Sequence, residues 1–270
     1  MKSGPILLFV LSIAGGCVSA PAQTGTLKSD ILLRSTQIIV VTTSDWSTVE
    51  GHLWRYERGT GDDDWRPVGD PIPIVVGKNG LGWGIGVIAT GDAKFRLAAD
   101  PVKREGDGRA PAGVFALGTA FGYALEPLRG LKTPYLNLTQ SIECVDDPGS
   151  KHYNRLVDRS VVTPDWNSSE QMRNAGEAYR WGVVIDHNGT VPGDTNPPER
   201  GGGSCVFLHI WHSHDQGTAG CTAMSQIGLE SVLTWLDPAR KPLLVQLPEP
   251  TYAELINRWM LPKLTPAPRR

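Results

Sequence analysis

Two short segments hold the residue types best able to do chemistry. Ser204-Cys205-Val206-Phe207-Leu208-His209-Ile210-Trp211 places a histidine at the end of an apolar run. Gly217-Thr218-Ala219-Gly220-Cys221-Thr222-Ala223 places a cysteine just after a small, glycine-bearing turn. The chain between them is long enough for a loop that swings Cys221 back beside the imidazole of His209. A thiol beside an imidazole is the minimum equipment for nucleophilic acyl transfer: the base takes the thiol proton and the sulfur attacks a carbonyl. Small residues around Cys221 let that carbonyl approach the backbone, with the N–H groups of Gly220 and Cys221 as the expected oxyanion donors.

Plainer readings exist for each residue. A lone histidine on an apolar strand is more often a hydrogen-bonded core residue, and a free cysteine is often a small buried hydrophobe. The return of the chain through a glycine turn favours the chemical reading: Cys221 as nucleophile, His209 as general base. Strand alternation puts Cys205, Phe207 and His209 on one face, with Cys205 about 13 Å below His209 at strand rise. After Cys221, Ser225 caps a predicted helix with Ile227, Val232, Leu233 and Leu236 mostly on one face. Its N-terminal dipole would favour a thiolate. Trp211 and Tyr123 are expected to line the substrate groove, and Lys103 to meet a substrate carboxylate. The cluster His212, His214 and Asp215 raises zinc as an alternative, but its spacing does not match a helical zinc site, so no metal is expected. The acids at 62–64 read as a solvated hairpin turn rather than a calcium site.

The elements that must position these residues are mostly short strands. Residues 37–43 are β-branched, 53–58 alternate apolar and charged, and 74–76, 112–117, 180–187, 206–210 and 243–247 complete the set. The Gly77–Gly84 run lacks phosphate-loop spacing and a Lys-Ser or Lys-Thr ending, so it is not a nucleotide cradle. Residues 122–171, with scattered prolines and polar clusters, read as an elaborated loop region. A short helix is expected at 252–260, within a C-terminal tail of 248–270. Many strands and few helices argue a mainly β domain.

At 270 residues, 40% hydrophobic and net charge −2, the chain has apolar content for a full core and no basic run that would suggest nucleic acid. Lys2, an apolar stretch at 6–13 and Ala20-Pro21-Ala22 read as a secretory signal peptide over 1–22, too short for a comfortable membrane span. Ala14-Gly15-Gly16-Cys17 resembles a lipoprotein processing site, which would anchor the chain through Cys17. Once the leader is removed, Cys144, Cys205 and Cys221 remain in an oxidising compartment, an odd number. Cys144 and Cys205 then either pair or stay as two buried thiols.

Three blocks, Val75–Gly84, Lys103–Phe115 and the His209–Cys221 segment, resemble in order the L,D-transpeptidase family, the YkuD-type cysteine enzymes of bacterial peptidoglycan. The resemblance spans roughly 37–247. It implies a β-sandwich-like catalytic domain with a few short helices, one following the nucleophile, and an exported enzyme of the periplasm or envelope. No cofactor is implied. The expected reaction is a 3–3 cross-link between peptidoglycan stem peptides through a Cys221 acyl-enzyme. Further implications are a backbone carbonyl at Ile210 that orients His209, an oxyanion N–H at Gly220, and Thr218 as the hydroxyl residue of a Ser/Thr-x-Gly-Cys motif. Hydrolysis of the same intermediate, as an L,D-carboxypeptidase, and an inactive wall-binding module are the alternatives. Ile210, Ala219 and Ala223 stand where the family commonly has glycine, a second histidine and an arginine, which leaves the exact substrate open.

Overall fold

Seven consecutive buried residues, Gln37–Thr43, form β1. Burial of both faces explains their continuous apolar and β-branched character, because neither side of the strand meets water. The computed structural model describes residues 31–62, 64–88, 96–189 and 197–265. The expected leader over 1–22 and Cys17 lie outside them. After β1 come β2 (Glu50–Glu57), β3 (Arg66–Pro67), β4 (Ile72–Val75), β5 (Leu81–Trp83) and β6 (Ala110–Gly122). Then follow β7 (Tyr135–Asn137), β8 (Ile142–Cys144), β9 (Leu156–Asp158), β10 (Glu170–Gln171), a 3₁₀ helix (Met172–Tyr179) and β11 (Trp181–Ile185). The chain continues through β12 (Phe207–Ile210), β13 (Thr222–Met224), helix α1 (Gln226–Trp235), β14 (Leu243–Pro248) and helix α2 (Glu249–Leu255).

The molecule is mainly β, as its sequence pattern implies. An eleven-stranded sheet runs β1-β14-β6-β11-β12-β13-β4-β2-β3, with β5 and β7 added to β6. Pairing of β1 with β2, the last strand but one, closes that path into a circuit, so the layers are continuous through hydrogen bonds rather than two separate sheets. The main core lies inside this circuit, around Ile38, Val40, Leu53, Phe115, Leu208 and Leu244.

The region 122–171 is more ordered than its composition suggests. Strands β8, β9 and β10 form a second, three-stranded sheet. It is pinned by Glu143, whose buried carboxylate accepts from Arg159 at 2.7 Å, Ser169 at 2.8 Å, and Trp166 and Gln171 at 3.0 Å each. Burial raises the Glu143 pKa, but hydrogen bonds from Gln171, Ser169 and Trp166, with the Arg159 charge, leave it below the usual value. Between this small sheet and the main one lies a second apolar cluster, including Phe121, Met172, Tyr179, Phe207 and Cys221.

Helix α1 starts where expected: Ser225 Oγ accepts from Gly228 N–H at 3.1 Å. Its buried face is Gly228, Leu229, Val232 and Leu233, while Ile227 is 82% exposed. Starting the helix at Gln226 puts Leu229, Val232 and Leu233 on one stripe and turns Ile227 away, correcting the expected face. The C-terminal tail packs onto the domain. Tyr252 Oη donates to the Pro262 carbonyl at 2.7 Å, Tyr56 Oη to that of Lys263 at 3.1 Å, and Trp54 Nε1 to that of Thr265 at 3.1 Å.

Candidate active site

Strands β12 and β13 are parallel neighbours, with His209 opposite Ala223 and Leu208 opposite Thr222. Parallel neighbours cannot be joined by a tight turn. The connection over 211–221 therefore leaves the end of β12, crosses the mouth of the site and re-enters at Cys221, one residue before β13. This is the swing that the spacing of the two segments implies. On its other side His209 pairs with Gly182 of β11. The two cross-strand neighbours of the imidazole are thus glycine and alanine. A Cβ at Gly182 would stand 2.3 Å from Phe121 Cζ, so that glycine is required by contact.

The three sequence blocks meet at the turn before the cysteine. Lys78 N–H donates to the Thr218 carbonyl at 2.8 Å, and Thr218 N–H to that of Val76 at 2.9 Å. A Cβ on Gly217 would sit 2.5 Å from Lys78 Cα, and one on Gly77 only 2.4 Å from the Gly108 carbonyl oxygen. Glycine is needed where these backbones touch. Thr218 faces inward: its hydroxyl donates to the Cys221 carbonyl at 2.7 Å and accepts from Gly220 N–H at 3.1 Å. Thr218 thus braces the turn before Cys221 and also lines the cavity beside it, while the Gly220 N–H, an expected oxyanion donor, is taken by its hydroxyl, leaving Cys221 N–H as the other candidate.

Cys221 is buried and is the free cysteine among the described residues. Its sulfur accepts from Phe207 N–H at 3.3 Å, and its thiol donates to the Cys205 carbonyl at 3.6 Å. Burial, then the charge of Glu170, pushes the thiol up to about 12. The expected helix dipole is not the counterweight, because β13 separates Cys221 from the start of α1. Only the first turn of a helix exerts that effect. His209 Nδ1 lies 2.8 Å from the Ile210 carbonyl. A carbonyl only accepts, so Nδ1 carries the proton and Nε2 presents a lone pair. Burial draws the His209 pKa down to about 4, against the pull of that hydrogen bond. Both groups are uncharged at neutral pH.

Cys144 and Cys205 form a disulfide with Cα atoms 5.9 Å apart. Cys205 lies outside β12 and has a left-handed backbone, φ 55°. It therefore does not continue the strand alternation of Phe207 and His209, and its carbonyl accepts from the Cys221 thiol. The Asn154 side chain holds the bend by accepting from Cys205 N–H at 3.0 Å.

Cys221 and His209 share a cavity of about 620 Å³ whose wall also carries Lys103, Trp211, Glu170 and Tyr179. The Lys103 ammonium donates to Asp107 Oδ1 at 2.7 Å and to the Arg104 carbonyl at 2.6 Å, so it reaches the cavity already neutralised. Tyr123 is not on this wall. Its ring stacks under Arg173, 4.2 Å from the guanidinium carbon, and its hydroxyl donates to the Met172 carbonyl at 3.3 Å. His212 stands at the mouth, whereas His214 faces a different groove with Thr43, His52 and Glu249. Among the described residues no three His, Cys, Asp or Glu side chains are grouped to hold a metal. Sequence reasoning missed Glu170 and Tyr179. Both lie in stretches without periodicity, and no spacing in the sequence points to them.

No family model matches the chain, and no curated protein does. Among solved structures, the helical cell shape determining protein Pgp2 from Campylobacter jejuni matches at 14% identity and a TM-score of 0.31, covering 81% of this chain and 54% of that one. This chain spans about half the length of that protein, and a likeness so distant carries no argument about fold or activity.

Proposed function

We propose that this protein is a cysteine acyltransferase of peptidoglycan stem peptides, an L,D-transpeptidase. The supporting observation is the shared cavity of Cys221 and His209, with the imidazole held on the Ile210 carbonyl so that its basic nitrogen is free. The resemblance of the three sequence blocks supplies the substrate class. As substrate binds, His209 Nε2 takes the proton of the Cys221 thiol and the sulfur bonds to the carbonyl carbon of the stem's diamino acid. The bond from that carbon to the terminal D-alanine nitrogen breaks, and the imidazolium returns its proton to the departing amine. The side-chain amine of a second stem then attacks the thioester, gives a proton to His209, and regenerates the thiol. Cys221 N–H faces the developing oxyanion.

Incubation of the purified protein with disaccharide-tetrapeptides, followed by mass spectrometry, tests this reading. Cross-linked dimer is the expected product. Tripeptide without dimer would replace transfer by hydrolysis, and unchanged substrate would overturn the enzymatic assignment.

A further inference from the structure

The reaction just described leaves one buried polar pair on the cavity wall without a task. Tyr179 ends the 3₁₀ helix and is 5% exposed. Its ring packs edge-on to His209, Phe121 and Phe207, with centroids 5.3, 5.5 and 5.6 Å away. Three such contacts fix the ring, so its hydroxyl is aimed. That hydroxyl donates to Glu170 Oε1 at 2.7 Å. Tyr179 and Cys221 belong to one apolar cluster and line the same cavity. Glu170 is fixed as well: it pairs with Cys144 between β10 and β8. Cys144 is bonded to Cys205, whose carbonyl accepts from the Cys221 thiol. Acid, tyrosine and sulfur are therefore held by one short, covalently closed path.

A carboxylate on the same cavity wall as a nucleophilic sulfur opposes its ionisation, because two anions share a water-poor wall. We propose that Tyr179 is a catalytic hydrogen-bond donor to the Cys221 sulfur, and that Glu170 is the positioning residue that decides where this donor points. With Glu170 ionised, the tyrosine proton is turned to the carboxylate and the sulfur keeps its own. With Glu170 protonated, the acid's O–H donates to a lone pair of the Tyr179 oxygen and the tyrosine O–H turns to the sulfur. The only proton exchanged with solvent is the one on Glu170; the thiol proton still passes to His209. Burial raises the Glu170 pKa, the Tyr179 hydrogen bond lowers it, and Asp146 raises it again. The other charged or titratable groups facing this corner are Lys103, which favours the thiolate, and His209, Glu105 and His212 on the same cavity.

This inference rests on Cys221 being the nucleophile of the proposed function, but its test needs no cell-wall substrate. The rate of iodoacetamide alkylation of the Cys221 peptide is followed by mass spectrometry from pH 6 to 10. Glu170→Gln is isosteric and uncharged, and its amide N–H holds the tyrosine oxygen so that the O–H faces the sulfur. Its alkylation is expected to be about tenfold faster at pH 7.5, with the profile moved to lower pH by about one unit. Tyr179→Phe keeps the three ring contacts, but with Glu170 ionised the hydroxyl already faces the acid, so the donor is tested in the double variant. Glu170→Gln/Tyr179→Phe is expected to be about tenfold slower than Glu170→Gln, the scale of a lost charge-assisted hydrogen bond. A Glu170→Gln rate no faster than wild type overturns the proposal, as does a double variant as fast as Glu170→Gln. Stem-peptide turnover is scored separately, so failure of the peptidoglycan reading leaves this result standing.

Discussion

Reduction of the Cys144–Cys205 bond should lower stability and change thiol reactivity together. The bridge joins residues 61 apart in sequence. Removing a cross-link of that span frees the unfolded chain by an amount the chain-entropy relation puts at about 4 kcal/mol. For a domain of this size, with roughly 2–4 °C per kcal/mol, the melting temperature should fall by about 8–16 °C. The site is affected through Cys205, whose carbonyl accepts the Cys221 thiol and whose left-handed backbone, φ 55°, is held by Asn154 and by the bond itself. A residue that relaxes from this conformation rotates its carbonyl away from the sulfur.

The assay is a thermal melt with and without a phosphine reductant, paired with Cys144→Ser/Cys205→Ser. Thiol titration of the denatured protein, leader removed and unlipidated, confirms the redox state: one thiol before reduction, three after. Alkylation of Cys221 is measured on the same samples. A melting shift below about 3 °C with three thiols present would refute the tether reasoning. A full shift with an unchanged alkylation profile would refute the link between the bridge and the nucleophile.

Cys221→Ala should abolish turnover and labelling by a thiol-reactive carbapenem while the protein still folds, whereas normal turnover would sink the cysteine mechanism. His209→Ala should lower the rate at least about a hundredfold; near-normal turnover would move the base to His212, which lines the same cavity. His187 and His209 are both held down to about 4, chiefly by burial, below the ordinary value of 6.5. The unfolded chain therefore binds protons first, so their contribution is whole above pH 6.5 and is lost as pH falls toward 4, roughly 3 kcal/mol each. Urea midpoints at pH 7 and pH 4.5 measure it, and equal midpoints would contradict it. Gly182→Ala places a Cβ 2.3 Å from Phe121 Cζ and should destabilise by about 1–3 kcal/mol, read as a lower urea midpoint. Because Phe121 packs on Tyr179 and Phe207, Cys221 alkylation should change as well.

The sequence made legible what local pattern controls. The β-branched run of β1, the capped start of α1 and the return of the chain from His209 to Cys221 all follow from periodicity, a capping residue and loop length. The wall opposite the thiol was not legible. Glu170 sits in a two-residue strand and Tyr179 ends a 3₁₀ helix, and neither is long enough to show a period. Their meeting with Cys221 is a long-range packing event that no spacing encodes. Thr218 illustrates a different limit: a hydroxyl in the right place by sequence faces the backbone, because the turn has its own N–H and C=O groups to satisfy.

Burial controls the chemistry of the resting site more than any charge does. Burial pushes the Cys221 thiol up to about 12 and draws the His209 imidazole down to about 4, and both shifts oppose moving the thiol proton to the imidazole. A stored thiolate–imidazolium pair is therefore not the ground state. The empty site keeps a neutral sulfur hydrogen-bonded to a carbonyl, a form that is a poor target for oxidants. In the proposed acyl transfer, reactivity arises as the substrate arrives. A carbonyl bound over Cys221 becomes the acceptor for sulfur electrons while the proton leaves, so negative charge passes to the oxyanion instead of accumulating on the thiol. On that view Phe207 N–H, Cys221 N–H and the Tyr179 hydroxyl matter for the charge they meet during transfer, and Glu170 matters for preventing that charge from forming too early.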